Sequence, residues 1–101
     1  MEKIINDILI TEEKGVYTLS MTPKLQDDTG EIGFASFTTE ETLEVDDVLV
    51  EVEAAKTTMP ILSPVAGKVV EVNKAAESNP KLLDSTNPAE NWLVKLTDVK
   101  F

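Results

Sequence analysis

The residue best suited to chemistry in this chain is Lys56, which lies in the stretch EAAKTTMPILSPVAG of residues 53–67. Residues 48–55 alternate with the period of two that is typical of a half-buried strand, and the alternation breaks just before the lysine. Residues 57–62 are rich in β-branched and apolar side chains, so a second strand is predicted after it. A lysine at the tip of such a hairpin is exposed, and its amine is free to be modified.

The composition excludes several other chemistries. The chain contains no cysteine and no histidine, which excludes disulfides, thiol chemistry, imidazole acid–base catalysis and the usual zinc ligands. Any redox or transfer group must therefore be supplied from outside. The formal net charge of −10 repels nucleic acids and acidic membrane surfaces, so we expect neither to bind and favour a partner with a basic surface.

Length and hydropathy indicate a single small domain. The 101 residues, of which 42% are hydrophobic, can bury one core, so residues 1–101 are predicted to form one domain. The first fifteen residues mix acids into a short apolar run and do not resemble a signal peptide. No stretch has the length of a transmembrane helix, and we expect a cytoplasmic protein.

Short strands account for most of the chain, and helical signals are few. Strands are predicted at residues 8–11, 16–21, 31–37, 48–55, 57–62, 69–72 and 92–97. In the third of these, Ile32, Phe34 and Ser36 are expected to share one face, and Gly33, Ala35 and Phe37 the other. Six or seven short strands with almost no helix predict an all-β sandwich or small barrel.

Two helical turns and one acidic loop complete the prediction. Thr22 suits an N-cap, Pro23 a first helical position and Gly30 a helix stop, so residues 22–30 are expected to form one helical turn or a structured loop. Another turn is predicted at residues 80–83. The acids of residues 38–47 lack the spacing and glycine of a calcium loop, so a solvated connection is expected there.

Four segments of the chain carry a family resemblance. In their order and spacing, EAAKTT, SPVAGKVVEVN, NPKLL and NWLVKL resemble the glycine cleavage system H proteins and, more broadly, the biotinyl/lipoyl carrier domains. The similarity extends from about Val16 to Leu96. It implies a flattened barrel-sandwich fold in which the lysine at the hairpin tip carries covalent lipoate.

The resemblance assigns roles to three residues. Lys56 is the implied lipoyl attachment site, while Glu53, three residues before it, and Gly67, eleven residues after it, would shape recognition by a lipoate ligase or lipoyl transferase. Glu53 would supply a polar contact beside the lysine, and Gly67 a tight turn or a close strand approach. Acylation turns the ammonium into a neutral amide on a long stem, which would reach the active site of a lipoyl-using enzyme, either of glycine cleavage type or an oxidoreductase. The domain itself is predicted to be a carrier and not an enzyme.

Two other functions match parts of the sequence. Biotin carrier domains share the hairpin, the acid and the glycine, but their lysine stands between two methionines, whereas Ala55 and Thr57 flank it here. Lipoate is therefore favoured over biotin. The triplet Asp28-Thr29-Gly30 resembles the motif of retroviral-type aspartic proteases. Leu25-Gln26-Asp27 precedes it where such an enzyme would need an apolar strand, and no glycine-rich flap follows, which argues against a protease.

The chain departs from full-length H proteins and is most similar to the short H-like proteins of some bacteria. The segment before Val16 lacks the family's histidine–glutamate–tryptophan pattern, and no C-terminal helix is expected before Phe101. The resemblance implies a dedicated lipoate ligase, a sirtuin-type ADP-ribosyltransferase and a macrodomain hydrolase as partners in an oxidative-stress response. On this hypothesis Asp27, Asp28 and Glu31 are candidate carboxylate acceptors of ADP-ribose.

Overall fold

Nine strands in two antiparallel sheets form the body of the protein, and the computed structural model describes residues 1–101. The strands are β1 (Glu2–Ile5), β2 (Ile8–Glu13), β3 (Val16–Ser20), β4 (Ile32–Phe37), β5 (Thr42–Leu43), β6 (Val48–Ala54), β7 (Thr58–Leu62), β8 (Ala66–Val72) and β9 (Trp92–Lys100). The helices are α1 (Pro23–Thr29), α2 (Lys74–Ser78) and α3 (Pro88–Asn91), with a 3₁₀ turn at Pro80–Asp84. No helix is both long and apolar enough to cross a lipid bilayer.

The two sheets enclose one apolar core. One sheet has six strands in the order β1-β2-β3-β9-β8-β5, and the other has three in the order β4-β6-β7. Side chains from both sheets and from the helical segments meet in a single cluster, which includes Ile10, Leu19, Leu25, Leu49, Val52, Ile61, Leu83, Val94 and Leu96. The predicted all-β barrel-sandwich fold is therefore confirmed.

Helix α1 forms where its end signals predict it. The Thr22 hydroxyl accepts a hydrogen bond from the Leu25 amide at 3.2 Å and donates one to the Asp7 carbonyl at 2.6 Å. Pro23 begins the helix, and Gly30 ends it with φ 73°. The cap thus satisfies an otherwise free helical N–H group and also ties α1 to the first hairpin.

The N-terminal hairpins include a strand that was not predicted. Strand β1 pairs with β2 through a turn at Asn6 and Asp7, which have φ values of 52° and 66°. The turn between β2 and β3 places Lys14 and Gly15 at φ 53° and 83°. Such paired left-handed residues match the twist of hairpin strands. Strand β1 is exposed along most of its length, so its sequence lacks an apolar alternation.

The predicted faces of β4 are wrong. The ladder between β4 and β6 pairs Ile32 with Ala54 and Phe34 with Glu53, so Gly33 is an extra residue in a β-bulge. The bulge shifts the alternation by one position. The buried residues of β4 are Ile32, Ala35 and Phe37, and the exposed ones are Gly33, Phe34 and Ser36.

The C-terminal third contains more structure than the sequence predicts. The expected turn at residues 80–83 is present as the 3₁₀ turn, but α2 and α3 were not predicted, and β9 extends beyond residue 97 to Lys100. Helix α2 depends on distant contacts, because Ala76 is buried and the Glu77 carboxylate accepts a hydrogen bond from the Phe37 amide at 2.9 Å. Residues 38–47 form the expected connection except for the short strand β5.

Candidate functional site

Lys56 lies at the tip of the hairpin between β6 and β7. Strand β6 ends at Ala54 and β7 begins at Thr58, which leaves three residues in the turn. The Ala54 amide donates a hydrogen bond to the Thr57 carbonyl at 2.9 Å and closes it. Lys56 is exposed, so the predicted hairpin tip is present and the amine is accessible.

The segment that joins α1 to β4 holds the backbone of this tip. The Ala55 amide donates to the Glu31 carbonyl at 2.8 Å, and the Lys56 amide donates to the Thr29 carbonyl at 3.0 Å. These bonds continue the pairing of β4 with β6 beyond the pair of Ile32 and Ala54. We call residues 27–31 the α1–β4 junction. The junction makes the lysine part of a supported turn.

Gly30 lies directly beneath the lysine side chain. A β-carbon at this position would stand 3.2 Å from Cγ of Lys56 and 3.3 Å from Cβ of Ala55. Its backbone, at φ 73° and ψ −165°, is in a region that only glycine adopts readily. Sequence reasoning assigned Gly30 to the end of α1 and to the triplet of residues 28–30, and missed this contact, which joins residues distant in the chain.

The unmodified ammonium group rests on the end of α1. The Nζ atom of Lys56 donates a hydrogen bond to the main-chain carbonyl of Asp27 at 2.6 Å. Carbonyl groups at a helix C-terminus carry partial negative charge and favour a cation. The side chain therefore runs from the hairpin tip over Gly30 to the last turn of α1.

Glu53 is exposed on the outer face of the three-stranded sheet. It stands opposite Phe34 of β4 and Thr58 of β7 in the two ladders. It forms no salt bridge with Lys56, because the three ion pairs of the structure join other residues: Lys24 with Asp28, Lys81 with Glu31 and Lys95 with Glu71. The Glu53 carboxylate is therefore free to face solvent or a partner.

Gly67 lies in the other sheet. It pairs with Leu43 of β5, and an added β-carbon would stand 3.2 Å from the Thr97 carbonyl oxygen and 3.3 Å from Cβ of Leu96. The residue therefore permits a close approach of β8 and β9, one of the two roles expected for it. None of these contacts involves the tip around Lys56.

The combination of a barrel-sandwich fold and a supported hairpin lysine has relatives among known proteins. A family model described as glycine cleavage H-protein matches residues 3–100. The chain belongs to the glycine cleavage H-protein family. This confirms the resemblance seen in the sequence.

Individual relatives in this family cover most of the chain. The chain is 41% identical over 99 residues to the glycine cleavage system H-like protein of Staphylococcus aureus, covering 98% of this chain and 90% of that relative. It is 40% identical over 85 residues to the glycine cleavage system H protein of Bacteroides fragilis, covering 83% of this chain and 68% of that relative. The crystal structure of a glycine cleavage system H protein from Mycobacterium marinum superposes with a TM-score of 0.81 at 23% identity, covering 95% of this chain and 82% of that one. That similarity supports the fold.

The candidate acceptor carboxylates lie on the same junction that supports the tip. Asp27, Asp28 and Glu31 are all exposed. The Asp28 carboxylate is 2.7 Å from Nζ of Lys24, and this hydrogen bond raises the pKa of the lysine. Glu31 is 3.9 Å from Lys81, while Asp27 has no salt-bridge partner. The structure thus brings these three residues to the end of α1, beside Lys56.

The triplet Asp28-Thr29-Gly30 has a structural role in this family member. Thr29 is buried, and its hydroxyl donates to the carbonyls of Gln26 at 3.3 Å and Gly30 at 3.0 Å. Its own carbonyl accepts the hydrogen bond from the Lys56 amide. The triplet therefore forms the last turn of α1 and the support of the tip.

Asp84 supports the junction from below and was missed in the sequence. Both of its carboxylate oxygens accept a hydrogen bond from the amide of Ile32, at 3.2 and 3.1 Å. Ile32 directly follows Glu31, the last residue of the junction. Burial raises the pKa of Asp84, and the hydrogen bond from Ile32 offsets part of this shift. No local pattern predicts this contact, because Asp84 ends the 3₁₀ turn and is distant from Ile32 in the chain.

Proposed function

We propose that this chain is a lipoyl carrier protein whose Lys56 amine receives the lipoyl group. The observation that carries the proposal is the position of Lys56 at an exposed hairpin tip with its backbone held by the α1–β4 junction. Membership of the glycine cleavage H-protein family supports it. A rigid base with a flexible arm suits a carrier that visits several active sites. We propose that residues 1–101 act as one such domain.

The proposed modification is an acyl transfer with a defined balance of atoms. A ligase activates the lipoate carboxylate with ATP as lipoyl adenylate, and pyrophosphate leaves. The neutral Lys56 amine attacks the lipoyl carbonyl, the C–N bond forms, the C–O bond to AMP breaks, and one amine proton passes to solvent. To react, Nζ must leave the Asp27 carbonyl on which it rests. The product amide carries no charge and has a single N–H donor.

Glu53 and Gly67 act on this reaction in different ways. We propose that the exposed Glu53 carboxylate contacts the ligase directly, since no group of the chain pairs with it. Gly67 acts through the fold, because its contacts are with β9.

Incubation of the protein with a lipoate–protein ligase, ATP and lipoate tests the attachment site. Intact mass should increase by one lipoyl group in wild type and in Lys74→Arg, an exposed control lysine, but not in Lys56→Arg. An increment retained in Lys56→Arg would contradict the assignment. Biotin ligase with biotin tests the alternative cofactor, and a biotin-sized increment would replace lipoyl transfer with carboxyl transfer on the same tip.

The lipoyl arm would serve a separate enzyme, of glycine cleavage type or an oxidoreductase, while this chain acts as carrier. A cytoplasmic location stays a prediction of the sequence. The relative from Staphylococcus aureus is named a glycine cleavage system H-like protein, which supports the proposal that this chain belongs with the short H-like proteins. On that proposal its role lies in an oxidative-stress response.

The same proposal includes ADP-ribosylation of the α1–β4 junction by a sirtuin-type transferase and its removal by a macrodomain hydrolase. An acceptor carboxylate would attack C1 of the nicotinamide ribose of NAD, a C–O bond would form, the C–N glycosidic bond would break, and nicotinamide would leave. Asp27 is favoured over Asp28 and Glu31, because those two carboxylates have lysine partners. Peptide mass spectrometry after incubation with NAD and such a transferase should locate the group on residues 27–31. It should be lost in Asp27→Asn but not in Asp46→Asn, an exposed control; modification confined to other residues would refute this part.

A further inference from the structure

The β-bulge in β4 turns an aromatic side chain into solvent beside the lysine. Regular alternation after the buried Ile32 would place Phe34 in the core, but the extra residue Gly33 shifts the phase. Phe34 is consequently 50% exposed. Bulges frequently re-aim side chains near functional sites. The exposed part of the ring gains no burial free energy in the folded chain, so this apolar surface is available to a partner.

Phe34 occupies the same cross-strand row as Glu53. The row runs from Phe34 through Glu53 to Thr58. Glu53 is three residues before Lys56, and Thr58 is two residues after it. The ring borders a shallow depression of about 460 Å³ next to the turn. Its lining residues are Glu31, Gly33, Phe34, Glu53, Ala54 and Ala55. A protein that approaches Lys56 across this sheet would meet the ring.

The surroundings of the ring are acidic. Strands β4, β6 and β7 contain no lysine or arginine, and Glu51 and Glu53 are exposed on their outer face. The next row pairs Ser36, Glu51 and Pro60. A complementary surface would therefore combine an apolar pocket with cationic groups.

We propose that Phe34 is the apolar anchor through which the enzyme that acylates Lys56 recognises this chain. Its ring enters an apolar pocket of the enzyme while cationic groups face Glu51 and Glu53. The inference rests on the proposed lipoylation of Lys56. It explains how one of the nine lysines in the chain is selected, since Lys56 lies in the hairpin turn three residues after Glu53 of this row. A neutral lipoyl arm folded back onto the ring would make no use of the carboxylates, so an enzyme surface is the favoured occupant.

The initial rate of lipoylation at varied carrier concentration tests the proposal. Phe34→Ala is expected to raise KM about tenfold with little change in kcat, as for an interface residue whose truncation costs binding. Val70→Ala is the matched control, because Val70 is 51% exposed but lies on β8 of the other sheet; its KM should stay within about twofold. The assay uses a lipoate–protein ligase, ATP and lipoate, with product measured by intact mass.

Two further variants separate recognition from folding. Phe34→Tyr keeps the ring and should keep the wild-type KM. Phe34→Lys places a cation in the proposed apolar pocket, next to the cationic groups that face Glu51 and Glu53, and should raise KM beyond that of Phe34→Ala. Circular dichroism establishes that each variant is folded before its rate is measured. If KM for Phe34→Tyr rises as much as KM for Phe34→Ala, the role of the ring is overturned.

The outcomes distinguish this inference from the proposed function. If wild type is lipoylated on Lys56 and Phe34→Ala has the same kcat and KM, the anchor is refuted and the lipoyl function stands. If wild type takes up no lipoyl group, the proposed function fails and the inference fails with it. If Phe34→Ala leaves ligation unchanged but increases the mobility of the attached arm in NMR spectra, the ring contacts the arm, which also refutes recognition by the enzyme.

Discussion

Replacing Gly30 by alanine should disturb the support of the lysine in two ways. The backbone at φ 73° and ψ −165° is a conformation that costs a residue with a side chain about 1–3 kcal/mol. The added methyl carbon would also stand 3.2 Å from Cγ of Lys56 and 3.3 Å from Cβ of Ala55, closer than the ~3.5–4.0 Å of a relaxed carbon contact. The lysine side chain can move aside easily, but Ala55 is fixed by its hydrogen bond to Glu31.

The total effect follows from these two contributions. A loss of about 2 kcal/mol in the free energy of unfolding corresponds to a fall in Tm of about 8–16 °C for a domain of this size. The lipoylation rate of the folded variant should also fall, because Lys56 is displaced from its path over the junction. Urea unfolding and the ligase assay measure the two effects separately.

Gly15→Ala is the matched control for this variant. Gly15 also has a positive φ, 83°, but a β-carbon there meets no atom within 4 Å. Its substitution should cost about 1–2 kcal/mol from backbone strain and leave the lipoylation rate of the folded protein unchanged. The proposed support of the lysine by Gly30 would be refuted if folded Gly30→Ala were lipoylated as fast as wild type. It would also be refuted if Gly15→Ala lost as much of the lipoylation rate as Gly30→Ala.

Three further substitutions test other parts of the account. Gly67→Ala should lower the free energy of unfolding by about 1–3 kcal/mol through crowding against β9; unchanged urea unfolding with lost lipoylation would instead indicate direct contact with the ligase. Glu53→Gln should change the free energy of unfolding by less than about 0.5 kcal/mol and reduce kcat/KM for lipoylation, and an unchanged kcat/KM would remove Glu53 from recognition. Burial raises the folded-state pKa of Asp84 above its ordinary 3.8, with Glu31 adding to the shift, and the Ile32 hydrogen bond and Lys81 opposing it. Ionisation of Asp84 therefore opposes folding. The free energy of unfolding of wild type minus that of Asp84→Asn, measured by urea titration, should fall as pH rises above 3.8 through the raised pKa. A difference that rises with pH would contradict this.

Local signals in the sequence were sufficient to predict the hairpin and the limits of α1, although they left open whether residues 22–30 form a helical turn or a loop. The alternation predicted for residues 48–55 stops one residue after β6 ends at Ala54, and the cap at Thr22 with Pro23 and Gly30 sets the limits of the helix. These features depend on side chains that act on their own backbone within a few residues. Position and exposure of Lys56 therefore followed from the sequence.

The support of the site could not be predicted, because it depends on contacts between distant segments. The bulge at Gly33 exists only in the pairing of β4 with β6, so simple alternation placed Phe34 on the same face as Ile32. The position of Gly30 beneath Lys56, and of Asp84 beneath Ile32, likewise requires the folded chain. Helix α2 was missed because no side chain caps its first turn and tertiary packing holds it.

The most direct test of the central claim is the mass of the Lys56-containing peptide from protein isolated from its own cells grown with lipoate. The account predicts a lipoyl-sized increment on Lys56 and none on the intact mass of the Lys56→Arg variant isolated in the same way. An unmodified Lys56, or a lipoyl group on another lysine, would contradict the proposal that the α1–β4 junction and the hairpin tip present this residue for modification.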